Sequence, residues 1–200
     1  EDEVAPECDE KKMKALKQKV AGAYKGLFFD NDFNYLCDPC YCDWHLGEHV
    51  KRIGLYDCCW VLDVGGQYRT RFHSENNIRG LGLTGVSDDF LLHRTRLYAN
   101  LEMGSRFRAS VAYIAAVSEF ETNPVTRPIE ENRSDLLNAF GELLLWDDGC
   151  SELRFRAGRQ ELLYGAQRAV SPLDWANTRR TFQGYKAMYH GHDWEVDGFW

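Results

Sequence analysis

The sequence has no run of about 18 apolar residues, so a transmembrane helix is excluded. It also has no basic-then-apolar leader, and position 1 is Glu1 rather than Met. We therefore expect either that a signal peptide has been removed or that the chain is a fragment. The formal net charge of −7 argues against nucleic acid as a partner. With 200 residues, 44% of them hydrophobic, the chain is long enough for one domain with a real core.

The residue combinations of common enzyme chemistry are missing. The sequence shows no Ser-His-Asp arrangement, no paired carboxylates and no complete metal signature. Asp174, His190 and His192 could act as acid–base groups, as could the Cys/His cluster at 37–49, but nothing in their spacing favours this. We predict that the protein is not an enzyme and has no catalytic residue, bound metal or cofactor.

Lysine is almost absent from the later part of the chain. Seven of the eight lysines precede Arg52, and the exception is Lys186, whereas arginine supplies the other basic side chains from Arg52 onward. Arginine holds carboxylate or phosphate groups in planar, bidentate geometry better than lysine does. The later region therefore either recognises anions or pairs its arginines with its own Asp and Glu residues.

Cysteine is concentrated before Val61. The seven cysteines are Cys8, Cys37, Cys40, Cys42, Cys58, Cys59 and Cys150. Cys37 and Cys40 have a zinc-like spacing, with His45 and His49 nearby, but a second Cys-x-x-Cys is missing. Disulfides to Cys58 or Cys59 explain the same residues and suit an exported chain, so we favour them over a metal site or free thiols. The odd count leaves at least one cysteine without an intrachain partner.

The first 28 residues predict an amphipathic helix. Apolar residues recur at helical spacing among lysines: Met13, Leu16, Val20, Tyr24 and Leu27. Such a helix either lies on a membrane surface, docks on a periplasmic partner, or caps the domain as a solvated helix, which we favour. We therefore divide the chain into an N-terminal helix and Cys-rich segment, 1–58, and a second region, 59–200.

From Cys59 onward, apolar and polar residues alternate as in β-strands. In the first strand, Trp60, Leu62 and Val64 share one parity, whereas Asp63, Arg69 and Arg71 share the other. The same pattern recurs along the chain. It predicts about seven strands, near 60–72, 91–101, 107–117, 135–146, 153–160, 181–190 and 194–200.

The connections between these strands alternate between long and short. We expect long loops at 74–89, 119–134 and 165–180 and turns of a few residues between them. This plan is typical of an antiparallel up-and-down transmembrane β-barrel, whose polar parity faces a watery lumen. A soluble β-sandwich is the alternative, and the strand lengths disfavour it. Seven strands leave two unpaired edges, so we predict an incomplete, curved, open sheet, with further strands missing from the C-terminal side.

Four stretches resemble the alginate export family of bacterial outer-membrane porins. They are DDFLLHRTRLYANL (88–101), RPIEENRSDLLNAF (127–140), FRAGRQELLYG (155–165) and SPLDWANTRRTFQGY (171–185). The resemblance covers about two thirds of the chain and the N-terminal part of the family's barrel. It implies a barrel in the Gram-negative outer membrane, in contact with its lipid, that passes an anionic polysaccharide or oligosaccharide through an Arg-rich lumen. The Cys-rich segment before Cys59 has no counterpart in the family.

Parity selects the residues that we expect to line this path. The predicted lumen residues are Arg69, Arg71, Arg94, Arg96, Arg154, Arg156 and Lys186. Arg159 lies on the apolar parity, so either a bulge near Gly158 turns it inward or it lies at the rim. Arg179 and Arg180 flank a loop that we expect to fold back into the mouth.

Uronate polymers carry one carboxylate per sugar, and many weak cationic sites lower the barrier for such a chain and still permit its release. We expect Asp63, Glu102 and Glu142 to hold the arginines in place. The predicted function is therefore passage of anionic saccharides. A general anion-preferring diffusion porin and a surface barrel that binds partners with its loops are the alternatives.

Overall fold

The computed structural model describes residues 8–56, 59–79, 82–122 and 128–200, with side chains described at all of these except 78–79 and 82–84. Near the N-terminus, helix α1 spans Glu10–Ala21, and three short 3-10 turns follow at Phe28–Asp30, Asn34–Cys37 and Glu48–Val50. The strands are β1 (Ile53–Leu55), β2 (Trp60–Arg79), β3 (Gly82–Met103), β4 (Phe107–Glu119), β5 (Asn132–Asp147), β6 (Glu152–Gln160), β7 (Phe182–His190) and β8 (Glu195–Phe199).

All described strands belong to one antiparallel sheet in sequence order, β1 to β8, and this curved sheet is not closed. The predicted up-and-down plan is therefore confirmed, and the two-sheet sandwich is wrong. Short turns join β3 to β4, β5 to β6 and β7 to β8 at one end of the sheet, which we call the turn side. The connections between β2 and β3, β4 and β5, and β6 and β7 lie at the other end, the loop side.

Two boundaries differ from the sequence prediction. The residues expected to form a loop at 74–89 belong mostly to β2 and β3, which continue as a hairpin with an irregularity between Asn76 and Ile78. The alternation of apolar residues stops there. A strand needs only about 9–11 residues to cross an apolar layer, and the part that projects beyond the layer can pair its backbone even where its side chains are polar. In addition, the short strand β1 pairs with the start of β2, with Leu55 opposite Trp60. The strand that we predicted to form the edge of the sheet, β2, is therefore paired on both sides over its first residues.

The two faces of the sheet have opposite chemistry. One face, the exposed face, carries apolar side chains in contact with solvent, including Val64, Tyr68, Leu97, Val111 and Leu143. The other, the covered face, buries polar and charged side chains, including Asp63, Arg94, Asn100, Glu142 and Arg156. Soluble proteins bury apolar residues and expose charged ones, so this arrangement is inverted and is typical of a membrane barrel.

Two segments lie on the covered face. The first is the stretch that follows α1, whose Phe28 packs against Tyr98 and whose Phe29 packs against Phe140. The second is the connection between β6 and β7, residues 161–181, which we call the return segment. The buried polar face is therefore not in contact with bulk water, because these two segments occupy it.

The N-terminal segment has a small core of its own. Leu16 of α1 packs with Ala23, Phe33, Tyr35 and Cys40. Asp9 caps the helix by accepting a hydrogen bond from the backbone N–H of Lys12 at 2.6 Å. The helix predicted within the first 28 residues is therefore present, and the side chains around Leu16 show which face it buries. It ends at Ala21, so Tyr24 and Leu27, which were expected to belong to it, lie beyond it.

A disulfide joins Cys8 to Cys40 and closes this segment. Disulfide chemistry was expected, but pairing to Cys59 was not correct, and Cys58 lies outside the described residues. The remaining described cysteines are exposed and not disulfide-bonded: Cys37, Cys42, Cys59 and Cys150.

Among the described residues, no group of three His, Cys, Asp or Glu side chains is arranged to hold a metal ion, and no helix is long and apolar enough to span a membrane.

The exposed face provides a test of the parity assignment. Leu97 points away from the covered face and is 55% exposed. Leu97→Arg should reduce folding into lipid vesicles by about 2–4 kcal/mol near the bilayer midplane, because a charge would face lipid. Folded fractions measured in urea series, with Leu97→Ala as the control for lost side-chain volume, check this. Equal folding of the two variants would show that this face does not contact lipid.

The disulfide provides a second test. Cys8→Ser should lower the stability of the N-terminal segment by about 2–4 kcal/mol, because its unfolded state gains conformational freedom. Limited proteolysis under non-reducing conditions should then cut between α1 and Cys40 faster than in the parent protein. Cys37→Ser, which removes an exposed cysteine outside the disulfide, is the control. If both variants were cut alike, the disulfide would not be what holds this segment.

Candidate functional site: two arginine clusters on the covered face

The first cluster arises from the pairing of β2 with β3. The register places Arg69 opposite Arg94 and Gln67 opposite Arg96, so the guanidinium groups of both strands share the covered face. Like charges directly opposite each other on a sheet are destabilising. These arginines therefore need oxygen partners from outside the two strands.

The return segment supplies carbonyl oxygens to this cluster. Arg69 donates to the backbone oxygens of Asp174 at 3.0 Å and Ala176 at 2.6 Å. Arg71 donates to the backbone oxygen of Trp175 at 2.7 Å. Because a carbonyl oxygen carries no net charge, these bonds position the guanidinium groups without neutralising them.

The return segment also brings two carboxylates and a further arginine. Asp174 accepts from Arg94 at 3.0 Å and pairs with Arg179, while Glu161 pairs with Arg179 deep in the structure. Burial raises the pKa of Asp174, but the guanidinium groups of Arg179 and Arg94 outweigh burial and hold this pKa below its usual range. Asp174 is therefore ionised, and the set formed by Arg69, Arg71, Arg94, Arg96 and Arg179 with Asp174 and Glu161 is called the loop-side cluster.

Asn177 fixes the return segment to the sheet. Its buried side-chain amide lies within hydrogen-bonding distance of the backbone oxygens of His93 at 3.0 Å, Val117 at 3.2 Å and Glu130 at 2.9 Å. One side chain thus links β3, β4 and the residues that precede β5. The sequence analysis did not identify Asn177 as a functional residue. The one feature of the sequence that pointed to it is its position inside the SPLDWANTRR motif.

The second cluster is centred on Glu142. Arg108 on β4 and Arg156 on β6 lie opposite Glu142 in the register of β5, and their guanidinium groups reach its carboxylate at 3.0 and 2.6 Å. Arg154 approaches the same carboxylate at 3.6 Å and pairs with Glu152 at 2.9 Å. The next strand places Lys186 opposite Arg156. We call Arg108, Arg154, Arg156 and Lys186, with Glu142, Glu152 and Asp197, the turn-side cluster.

A cavity of about 580 Å³ opens beside the turn-side cluster. Its wall includes Arg108, Arg154, Arg156 and Lys186, and it also includes Asp30 of the N-terminal segment. This volume is within the range of sites that hold a small molecule or a sugar unit. Six carboxylates also line the cavity: Asp30, Glu102, Glu142, Glu152, Glu161 and Asp197. The cavity is therefore a space in which basic and acidic side chains face each other.

Comparison with protein-family models decides which family this chain represents. The model of the alginate export family, described as "Alginate export", matches residues 60–200. The chain belongs to the alginate export family. This is a family of outer-membrane transport proteins, and the match confirms the resemblance carried by the motifs. No curated protein and no solved structure matches the chain.

The alginate export match begins at Trp60, so the N-terminal segment lies outside it. That segment nevertheless contacts the matched region closely. Arg52 donates to Glu102 at 2.7 Å, and its backbone N–H donates to Asp63 at 2.6 Å. Of the three acidic residues expected to hold the path arginines, Glu142 does so, whereas Asp63 and Glu102 bind Arg52 instead.

The structure places the remaining candidate residues at the loop side. The register is continuous through Gly158, so no bulge turns Arg159 inward. Arg159 instead pairs with Asp135 at 2.6 Å near the loop-side ends of β5 and β6, which fits the rim position. Arg180 is exposed, whereas Arg179 is buried in the loop-side cluster. The role of all these residues in transport stays a prediction.

Asn177 gives a test of how the return segment is held. Asn177→Ala removes its amide from three backbone oxygens, and buried unsatisfied groups cost about 1–3 kcal/mol each. Hydrogen exchange at the amides of Asn177 and Thr178, both of which donate to Ile129, should accelerate about tenfold or more. Asn34→Ala, at an exposed asparagine, is the control. Unchanged exchange at these amides would show that Asn177 does not anchor the segment.

Proposed function

We propose that the protein is an outer-membrane porin or exporter that passes anionic saccharides, such as alginate-like uronate polymers or oligomers. The observation that carries this proposal is the placement of guanidinium groups on the covered face of a sheet whose other face is apolar and exposed. In this proposal the covered face lines the lumen and the exposed face contacts outer-membrane lipid.

The charge of the loop-side cluster supports an anionic substrate. Its five arginines outnumber its two carboxylates, Asp174 and Glu161, and among the described residues these carboxylates pair only with Arg94 and Arg179. The excess positive charge lies between strands and the return segment, where solvent is limited and electrostatic attraction is stronger than in bulk water. Mobile anions are therefore attracted to this part of the covered face.

The turn-side cluster extends the same chemistry along the path. Glu142 is shared by Arg108, Arg154 and Arg156, and within the part of the chain that the structure describes only Arg154 has a second carboxylate partner, Glu152. Shared carboxylates keep the guanidinium groups in place and make each site a weak one for a passing anion. A succession of weak sites permits both binding and release, which transport requires.

A general anion-preferring diffusion porin is the second candidate. The observation that favours it is that the chain's own groups already satisfy several of these cations, as with Lys186 and Asp197 at 2.8 Å. Such pairing leaves an electrostatic field that selects anions by their charge but does not recognise a sugar.

The exposed lysine face of α1 is proposed as a docking surface for a periplasmic partner in either case.

Single-channel recording in planar bilayers tests the function. Arg154→Gln removes a cation from the cavity wall while Glu142 keeps Arg108 and Arg156. We expect lower anion selectivity and a half-blocking concentration of uronate oligomers that is about three- to tenfold higher. Arg133→Gln is the matched control, because that arginine is 79% exposed at the start of β5.

The outcomes separate the two candidates. An anion-selective pore that uronate oligomers and neutral oligosaccharides of equal length block equally supports the general porin. A pore without anion preference, or one in which Arg154→Gln behaves as Arg133→Gln does, contradicts the proposed path.

A further inference from the structure

The 3-10 turn Phe28–Asp30 lies on the covered face and is held there by strand side chains. Asn100 of β3 donates to the backbone oxygen of Phe28 at 2.9 Å, and Arg108 of β4 donates to that of Phe29 at 2.7 Å. Asn31 donates to the hydroxyl of Tyr98 at 3.2 Å. These contacts attach the N-terminal segment to residues that point toward the proposed path.

The two aromatic rings of this turn cover one guanidinium group in each cluster. The Phe28 ring lies 3.9 Å from the guanidinium carbon of Arg96, and the Phe29 ring lies 4.7 Å from that of Arg156. Both arginines are buried, with exposed fractions of 3% and 4%. The turn therefore places apolar groups over cations that the proposed function assigns to anion passage.

Arg96 is only partly satisfied in this arrangement. It donates to Gln67 at 3.0 Å, but among the described residues its Nε and Nη1 atoms have no hydrogen-bond partner. A buried donor without a partner is costly, and contact with an aromatic ring offsets only part of that cost. Two donors of a buried cation are thus free to bind an anion if the Phe28 ring moves away.

Asp30 extends from the same turn into the cavity. It is solvent-exposed, and it shares the cavity wall with Arg108, Arg156 and Lys186. Desolvation of its carboxyl group inside the cavity raises the pKa of Asp30 above its usual range, although the charges of Arg156, Arg108 and Lys186 oppose this rise. The N-terminal segment thereby places a carboxylate of its own where a saccharide carboxylate would meet the turn-side cluster.

We propose that the turn Phe28–Asp30 is an internal plug in which Asp30 stands in for a carboxylate of the transported saccharide; this inference rests on the proposed function. The aromatic rings block access to Arg96 and Arg156, and the Asp30 carboxylate occupies the field of the turn-side cluster. An arriving uronate competes with Asp30 for the same cations and displaces the turn.

The construction of the N-terminal segment suits such a displacement. Its own core around Leu16 and Phe33 and the Cys8–Cys40 disulfide hold it together independently of the sheet. The part of the segment that precedes β1 can therefore shift as a unit without unfolding, while β1 stays paired with β2. It also lies outside the region matched by the alginate export family.

The test compares two charge-removing variants of the same turn region in single-channel recordings. Asp30→Asn removes the competing carboxylate from the cavity and keeps the side-chain shape. Asp32→Asn is the matched control: Asp32 is exposed, is absent from the cavity wall, and caps the backbone N–H of Asn34 with an oxygen that asparagine retains. Conductance, anion selectivity and block by uronate oligomers are measured for each.

We expect Asp30→Asn to increase anion selectivity and to lower the half-blocking concentration of uronate oligomers by about three- to tenfold, with Asp32→Asn unchanged. As a second variant, Phe28→Ala should raise anion conductance by uncovering Arg96, whereas Phe120→Ala, at an exposed loop phenylalanine, should not.

The results distinguish failure of the plug from failure of the proposed function. If uronate oligomers block the parent pore but Asp30→Asn matches Asp32→Asn and Phe28→Ala matches Phe120→Ala, the plug is wrong and the turn is a permanent brace. If uronate oligomers do not block the parent pore and Arg154→Gln has no effect, the proposed function fails and the plug fails with it.

Discussion

The buried guanidinium groups of the covered face are the constraint on which the rest of the structure depends. A buried cation is costly unless oxygen atoms surround it, and two neighbouring strands that both carry arginine cannot provide those oxygens for each other. The return segment folds back with three backbone carbonyls, Asp174 and Glu161, while Glu142 is placed between strands that carry Arg108 and Arg156. The fold of the connections therefore follows from the chemistry of the strands.

Much of the sheet could be predicted because its signal is local. A period of two along the chain determines which side chains share a face, so the assignment of Arg94, Arg96 and Arg156 to the covered face needed no long-range information. The extension of β2 and β3 through 74–79 and 82–89 could not be predicted in the same way. Their backbone pairing persists where the apolar alternation has ended, and polar residues in a hairpin look like a loop in the sequence.

The contacts that complete the clusters depend on residues far apart in the sequence. Asn177 binds three separate backbone segments, and the Phe28 ring lies against the guanidinium group of Arg96. Neither contact produces a periodicity or spacing in the sequence from which it could be predicted. The Cys8–Cys40 pairing was equally hidden, because several cysteines offered plausible partners. Sequence reasoning thus located the cations but not the groups that cover them.

The edges of the sheet connect this architecture to the membrane. β1 pairs with only the first residues of β2, from Trp60 to Leu62, and β8 is a strand of 5 residues, so much of each edge presents unpaired backbone groups within the described chain. In hydrocarbon each such group costs several kcal/mol, and a stable membrane sheet needs both edges paired. If the exposed face contacts lipid, as we propose, the open edges oppose the same insertion. Insertion and edge pairing would then have to occur together, and the covered face would be enclosed only when that pairing is made.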